Sequence, residues 1–194
     1  MRVMLIDQDR GRAAIVEQSL QDAGHEVVAR LASVERLSQE VEAHQPDVVI
    51  IDIESPDRDA LENMSVVSRD NPRPIVLFSE EDSEESIAKA IKAGVSAYIY
   101  DGMRVDRVRP IVDVAVARFR EFQALRNELD ETRTQLEDRK VVEKAKGLLM
   151  KHRGFDETQA YHAMRKMAMN RNQQLVETAR NVIAVFDLVG DDGI

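Results

Sequence analysis

Cysteine is absent from this chain of 194 residues, which excludes a disulfide framework and a thiolate metal site. No apolar run approaches the ~18 residues that span a membrane, and the N-terminus lacks a signal-peptide pattern. The chain also lacks a phosphate-cradling glycine loop and a nucleophile elbow, and its four histidines show no metal-ligand pairing. We therefore expect a soluble cytoplasmic protein that is not an enzyme and has no membrane partner.

Charge is divided unevenly along the chain, whose formal net charge is −9. Residues 139–194 contain 10 Lys/Arg against 7 Asp/Glu, whereas residues 1–138 contain 17 against 29. A basic segment behind an acidic one indicates an anionic partner at the basic end. Solvated helix faces give the same charge pattern, so charge alone leaves both interpretations open.

The first hundred residues alternate short apolar runs with helical patterns. The apolar runs are Arg2–Ile6, Val27–Arg30, Val48–Ile51, Ile75–Phe78 and Ala97–Tyr100. The helical segments are about 11–23, 34–44, 59–70 and 83–93. Continuous apolar strands with intervening helices imply a parallel sheet covered on both faces. This alternation predicts an α/β flavodoxin-like fold with strand order 2-1-3-4-5, whose crevice lies at the carboxyl ends of the first and third strands.

Aspartates fall at those two strand ends: Asp7 and Asp9 follow the first strand, and Asp52 follows the third. The motifs that carry a resemblance are LIDQD at 5–9, PDVVIIDIESP at 46–56, FS at 78–79 and AGVSAYIYD at 93–101. With them, residues 1–120 resemble the receiver domain of two-component response regulators. By that resemblance Asp52 is the phosphoacceptor, Ser79 hydrogen-bonds the phosphoryl group, and Tyr98 changes rotamer on activation.

Two positions depart from the receiver pattern. Receivers carry two adjacent acids for Mg²⁺, where this chain has Asp7 and Gln8. The loss of a carboxylate weakens a site for a hard cation, so Asp7, Asp9 and Asp52 are expected to form a weak magnesium site if any. The receiver lysine is replaced by Asp101, whose charge repels an added phosphate. Control by a docked protein is therefore favoured over phosphorylation.

Residues 104–138 have the pattern of one long helix. Apolar residues recur every seven positions, at Val108, Ala115, Phe122, Leu129 and Leu136. Sustained heptads predict a coiled coil, here a parallel homodimer, because a lone helix exposes its large apolar side chains. Arg118 and Arg139 interrupt the seam, so we expect modest pairing strength.

Residues 139–189 predict a small all-α domain of three short helices. The first covers about 140–152, the second ends near 169, and the third contains 175–186. Gly154 fits the left-handed residue that closes the first helix. Asp156 and Gln159 fit a capping pair for the second helix, and Asn172 is a candidate cap for the third.

Three motifs in this domain carry a second resemblance: EKAKGLLM at 143–150, GFDETQAY at 154–161 and MRKMAM at 164–169. They closely resemble the ANTAR domain of AmiR- and NasR-type transcription antiterminators. The resemblance implies binding of tandem stem-loops in leader mRNA, which prevents terminator formation. The segment YIYDGM at 98–103 resembles NasT-type nitrate antiterminators, which implies a nitrate-sensing ligand-binding protein as partner; a histidine kinase is the alternative sensor.

Loop bases of RNA stack on aromatic or guanidinium planes, and Tyr161 and Arg165 lie one helical turn apart. A core position for Tyr161 is the alternative interpretation. The candidate RNA-binding residues are Lys144, Lys146, Gly147, Tyr161, Arg165, Lys166 and Arg171. A glycine inside a helix, such as Gly147, lowers helix stability by about 1 kcal/mol relative to alanine. The close approach of RNA or of a neighbouring helix would explain a glycine at this position.

Two other functional classes remain open. A DNA-binding response regulator requires a basic recognition helix, whereas Arg180 is the sole basic residue of segment 173–186. A phosphorelay or signalling adaptor without nucleic-acid output leaves the basic domain unused. The favoured hypothesis is a homodimer whose two RNA-binding domains hold two hairpins and gain avidity from their linkage.

Overall fold

The computed structural model describes residues 1–100 and 102–189. Its strands are β1 (Arg2–Asp7), β2 (Glu26–Leu31), β3 (Val48–Asp52), β4 (Ile75–Ser79) and β5 (Ala97–Tyr100). The helices between them are α1 (Arg10–Asp22), α2 (Leu37–His44), α3 (Arg58–Asp70) and α4 (Glu84–Lys92). The strands pair in parallel in the order β2-β1-β3-β4-β5. The predicted flavodoxin-like fold is therefore confirmed.

The central strands are buried because helices cover both faces of the sheet. Alternate residues point to opposite faces: Met4 and Ile6 pack in the cluster that includes α2, α3 and α4, whereas Val3 and Leu5 pack with α1. β3 is buried along its whole length. This packing fixes the carboxyl ends of β1 and β3 side by side.

After β5 the chain forms one continuous helix, α5 (Val105–Arg153), of 49 residues. The first of the three predicted short helices is thus the last part of α5. The helix continues through position 139 because residues 111–146 contain no glycine or proline to end it. Pro110 is the sixth residue of α5 and lies just past its first turn, so it removes one backbone hydrogen bond of the helix. Gly154 follows the helix with φ +68°, the left-handed conformation predicted for it.

The heptad residues of α5 lie in two different environments, the first buried in the core and the later ones exposed to solvent. Val108 and Ala115 are buried in the cluster that also contains β1, β3 and α1 residues. They are therefore unavailable to a second helix, which corrects the predicted start of the seam. The large apolar side chains beyond them are 50–61% exposed, namely Phe122, Leu125, Leu129 and Leu136. We call these four residues the apolar stripe; a coiled coil through it stays a prediction.

Two further helices follow, α6 (Glu157–Arg171) and α7 (Leu175–Val189). The predicted capping pair is confirmed: Asp156 Oδ1 accepts a hydrogen bond from Gln159 N at 2.7 Å, and Gln159 Oε1 accepts one from Asp156 N at 3.1 Å. Asn172 does not cap α7 as predicted. It closes α6 with φ +50°, a left-handed conformation that asparagine tolerates.

The chain divides into a unit of residues 1–124 and a unit that begins at Leu125. The second unit has its own core, in which Ala145 and Leu149 of α5 meet Met164 of α6 and Ala179 of α7. The two alanines among these residues let the helices approach closely. In the described part of the chain, no helix is both long and apolar enough to cross a membrane.

Candidate functional site

The carboxyl ends of β1 and β3 bring two predicted site residues together. Asp7 and Asp52 are register partners of adjacent parallel strands, and they are 3% and 4% exposed. Two buried carboxylates repel each other and lose hydration, so they need a compensating positive charge. Helix α1 supplies that charge.

Arg12, in the first turn of α1, binds Asp7 with two parallel hydrogen bonds. Its Nε and Nη2 donate to Asp7 Oδ2 and Oδ1, each at 2.9 Å. The same Nε lies 3.0 Å from Asp52 Oδ2. Because the Nε hydrogen points to Asp7, the Asp52 oxygen has no hydrogen bond within the described residues. The contact between Arg12 and Asp52 is thus electrostatic.

Burial and charge shift the proton affinities of this cluster. Burial raises the pKa of Asp52 to about 6, although the positive charge of Arg12 opposes that rise. Hydrogen bonds from the backbone amides of Arg12 and Gly11 lower the pKa of Asp9. The hydrogen bonds to Asp7 raise the pKa of Arg12, so its guanidinium remains charged at every physiological pH.

The side chains predicted to hold magnesium do not converge in this arrangement. Asp9 is the N-cap of α1, and its Oδ1 accepts hydrogen bonds from Gly11 N at 2.8 Å and Arg12 N at 3.1 Å. Gln8 is exposed and lines a separate cavity of about 450 Å³. Within residues 1–100 and 102–189, no three acidic or histidine side chains gather as metal ligands. The predicted weak magnesium site does not fit these residues, because the Arg12 guanidinium already contacts Asp7 and Asp52.

Ser79 and Tyr98, predicted to respond to a phosphoryl group, instead hydrogen-bond to nearby backbone. Ser79 Oγ donates to the Glu54 carbonyl oxygen at 2.8 Å and accepts from Glu81 N at 3.2 Å. Tyr98 Oη donates to the Glu81 carbonyl oxygen at 2.6 Å. Asp101, the remaining predicted position, lies outside the described residues.

The Glu81 carboxylate connects the loops that follow β3 and β4. Ser55 Oγ, in the first loop, donates to Glu81 Oε2 at 2.6 Å. Ser83 Oγ donates to Glu81 Oε1 at 3.1 Å, and Ser86 Oγ donates to the same oxygen. The hydrogen bonds from Ser55 and then Ser86 lower the pKa of Glu81. These loops are thus tied together by groups within the protein.

A second candidate surface lies on α6 and the last part of α5. Tyr161 is 38% exposed, Arg165 is exposed beside it, and the opposite face of α6 is buried through Ala160, Met164 and Ala168. Four predicted RNA-binding cations are exposed, namely Lys144, Arg165, Lys166 and Arg171. The structure therefore presents an aromatic ring and several cations to solvent on one module.

Lys146 differs from these cations because it is only 7% exposed. Its Nζ lies 2.8 Å from Glu143 Oε1 and 2.8 Å from Glu157 Oε1, which links α5 to the first turn of α6. The hydrogen bonds to Glu143 and then Glu157 raise the pKa of Lys146. An ammonium held by two carboxylates is a poor ligand for phosphate. The geometry favours a positioning role, and contact of Lys146 with RNA stays a prediction.

Gly147 is exposed on α5, and a Cβ added there meets nothing within 4 Å. No neighbouring helix in the described residues explains the glycine, and the close approach of RNA stays a prediction. Lys144 lies three residues earlier, on the same face of the helix.

A cavity of about 220 Å³ lies among the three helices of the second unit. Arg153 and Arg171 line it together with Thr178. The Thr178 hydroxyl is buried and has no hydrogen-bond partner in the described residues.

Sequence reasoning missed Arg12, Glu81 and Glu157. The spacing of Glu143 and Lys146 marks that lysine as a salt-bridge former, but no local signal identifies Glu157, which lies on the next helix. For Arg12 the signal in the sequence was weak. An N-cap aspartate at 9 places Arg12 at the third helical position, but its direction toward Asp7 depends on how α1 packs on the sheet.

Comparisons with known proteins assign both parts of the chain. Residues 3–113 match the response regulator receiver domain, and residues 130–183 match the ANTAR domain. The transcriptional regulatory protein PdtaR of Mycobacterium tuberculosis is 30% identical over 182 residues, which cover 94% of this chain and 89% of PdtaR. The nitrate regulatory protein of Klebsiella oxytoca is 48% identical over 65 residues, 34% of this chain and 16% of that protein.

Solved structures agree with the fold of the first unit. A CheY-like receiver domain protein from Methanospirillum hungatei superposes with a TM-score of 0.54 at 19% identity, covering 62% of this chain and 96% of that chain. At this identity the likeness supports the fold alone.

Proposed function

Because this chain belongs to the response regulators that join a receiver domain to an ANTAR domain, we propose that it is a signal-responsive transcription antiterminator. In this proposal residues 139–189 bind tandem stem-loops in leader mRNA and prevent the terminator from forming. Residues 1–120 receive the signal, and residues 104–138 connect the two parts and pair them into a homodimer.

The observation that carries the proposal is the exposed pair Tyr161 and Arg165 on α6. An exposed aromatic ring costs free energy in water, and an adjacent guanidinium adds a second flat surface for stacking. Unpaired loop bases offer two free faces for such stacking, whereas bases in a duplex are already stacked. The pair therefore suits hairpin loops better than paired nucleic acid.

Phosphate binding is assigned to the exposed cations around that pair. Lys144, Lys166 and Arg171 are free of the carboxylates that hold Lys146. Arg171 also lines the 220 Å³ cavity, whose volume lies below the ~300–1,000 Å³ typical of small-molecule pockets. A single extruded base matches a cavity of this scale.

Dimerisation is assigned to the apolar stripe. Its four side chains are each at least half exposed and recur at positions 122, 125, 129 and 136 of one helix. A second copy of the same helix covers this seam in a parallel coiled coil. Two RNA-binding domains on one dimer then hold two hairpins, and the second binding event becomes intramolecular.

The signal is proposed to arrive through a protein that docks on the receiver domain. That protein is either a histidine kinase or a nitrate-sensing ligand-binding protein. The likeness to the nitrate regulatory protein of Klebsiella oxytoca supports the second choice. The poor fit of the acidic cluster to magnesium favours docking over transfer of a phosphoryl group.

The proposal is tested with a pool of tandem hairpin RNAs that have fixed stems and randomised loops. We expect the full-length protein to enrich particular loops, and Tyr161→Ala to abolish the enrichment. Tyr100→Ala is the matched control, because Tyr100 is a 63% exposed tyrosine outside the ANTAR domain. Stronger binding to duplex DNA supports the DNA-binding alternative, and the absence of any nucleic-acid binding supports the adaptor.

A further inference from the structure

The acidic cluster of the receiver domain contains a cation of its own. One nitrogen atom, Arg12 Nε, lies 2.9 Å from Asp7 Oδ2 and 3.0 Å from Asp52 Oδ2. These two oxygens belong to the two aspartates that end adjacent central strands. We propose that Arg12 is a built-in cation that takes the place of a divalent metal ion between Asp7 and Asp52.

The guanidinium and a metal ion require the same oxygens. Magnesium binds oxygen at about 2.0–2.1 Å, demands octahedral geometry and keeps several waters. The side chain of Asp7 is fully buried and both of its oxygens are hydrogen-bonded to Arg12. An ion shared by Asp7 and Asp52 therefore has to displace the guanidinium. Left in place beside the ion, the guanidinium repels it as a like charge at short range.

The local sequence holds Arg12 in this position. Asp9 caps α1 through two backbone amides and so fixes where the helix begins. The two parallel hydrogen bonds to Asp7 then orient the planar guanidinium, which a lysine at the same position cannot reproduce. Gln8 replaces the second acid of the receiver pattern with a neutral amide. One charge fewer in the cluster makes a monovalent cation sufficient.

Several polar side chains around Asp7 and Asp52 have partners within the protein, although Asp52 Oδ2 has no hydrogen bond in the described residues. Ser79 and Tyr98 bind the backbone of Glu54 and Glu81, and the Glu81 carboxylate links the two neighbouring loops. Ser79 and Tyr98 thus have hydrogen-bond partners that do not depend on an added ion or phosphoryl group. This inference concerns the receiver domain alone and does not depend on RNA binding.

The test uses Mn²⁺ as a paramagnetic probe, with binding to the full-length protein measured by electron paramagnetic resonance. We expect the wild-type protein to show no binding in the micromolar range. Arg12→Gln should bind Mn²⁺ roughly tenfold more tightly or better, because a like charge beside the carboxylates is removed. The matched control is Arg10→Gln, which removes the same charge from an exposed position two residues earlier and should behave as wild type.

A second substitution tests whether the increase in Mn²⁺ affinity arises at Asp7 and Asp52. Adding Asp52→Asn to the Arg12→Gln variant should abolish the new binding, and excess Mg²⁺ should compete for it. If the wild-type protein binds Mn²⁺ in the micromolar range and Asp52→Asn abolishes that binding, the proposal is overturned. This measurement does not require that an Arg12 variant folds. Equal affinities of wild type and a folded Arg12→Gln protein overturn it as well.

Discussion

Arg12 and Lys146 are both cations that the protein neutralises from within. Arg12 lies between Asp7 and Asp52, and Lys146 lies between two glutamates. Counting charges along the sequence therefore overstates the positive charge available to RNA. In the proposed function, the exposed cations of α5 and α6, rather than all basic residues of the module, are expected to set the electrostatic part of RNA binding.

The two neighbouring lysines of α5 should respond differently to substitution. Lys144→Met removes an exposed charge and should lower the slope of log affinity against log salt by roughly one unit. Lys146→Met should leave that slope unchanged and lower the melting temperature, because the link between α5 and α6 is lost. RNA binding at several salt concentrations, together with thermal unfolding, separates the two effects. Equal slope changes for both variants contradict the positioning role of Lys146.

Gly147→Ala should change stability and RNA affinity in opposite directions. The added Cβ meets nothing within 4 Å, so the helix gains up to about 1 kcal/mol in the free energy of unfolding. If RNA backbone approaches Gly147 closely, the same methyl group weakens binding. Asn127→Ala, at an exposed position of α5 before the ANTAR match, is the control for helix propensity alone. Unchanged RNA affinity in Gly147→Ala shows that RNA does not approach this residue.

The Asp52 carboxyl makes stability depend on pH. Its pKa in the folded protein is about 6, above the ordinary value of 3.8, so the folded state binds the proton more tightly than the unfolded state. This contribution is most favourable below about pH 4 and is lost as the pH rises through 6. Asp52→Asn mimics the protonated group, so it should stabilise the protein by roughly 1–3 kcal/mol at pH 7 and little near pH 4.

Urea unfolding at both pH values measures this effect. Asp82→Asn, at an exposed loop position, is the control and should be neutral. If Asp52→Asn is less stable than wild type at pH 7, the attraction between Arg12 and Asp52 outweighs the cost of burial.

At the scale of elements, the sequence predicted what depends on local or periodic signals. Five apolar runs and their order gave the sheet, and Asp156 with Gln159 gave the start of α6. Asn172 was assigned to the wrong helix end, because asparagine suits both an N-cap and a left-handed C-cap. The heptads of α5 concealed a change of environment, since burial on the sheet and pairing with another helix both select apolar residues at this spacing.

The contacts of Arg12 could not be predicted from local or periodic signals in the sequence. Asp7 and Arg12 are five residues apart across a strand-to-helix turn, and Asp52 is far along the chain. Only the packed sheet and the fixed start of α1 bring the three together. Predicting the fold therefore located the acidic site but left its internal cation undetected.

A charge introduced into the apolar stripe should prevent pairing. Leu129→Glu places a carboxylate at a seam position of the proposed coiled coil, where two copies face each other and repel. Analytical ultracentrifugation should show a shift toward monomer, and affinity for tandem hairpins should fall while affinity for a single hairpin remains. Asn127→Glu adds the same charge on the opposite side of the helix and should stay dimeric. A monomeric wild type, with and without RNA, contradicts the coiled coil.

For the whole molecule, charge divides the chain at a different point from the fold, because the acidic excess extends past residue 124 into the middle of α5. Residues 1–138 carry the acidic excess, and residues 139–194 carry more basic than acidic groups. The 30% identity to PdtaR extends over both units, so the receiver and the ANTAR domain occur together in that relative too.

The apolar stripe has one more consequence, which concerns the abundance of the protein in the cell. If these four half-exposed side chains form the proposed coiled coil, we expect an association that depends on protein concentration rather than a permanently closed dimer. Below the dissociation constant of the pair, the amount of dimer rises with the square of the protein concentration. A twofold increase in expression then yields about four times as much of the dimer, which has two ANTAR domains. Gene dosage becomes an input to the regulator, alongside whatever signal reaches its receiver.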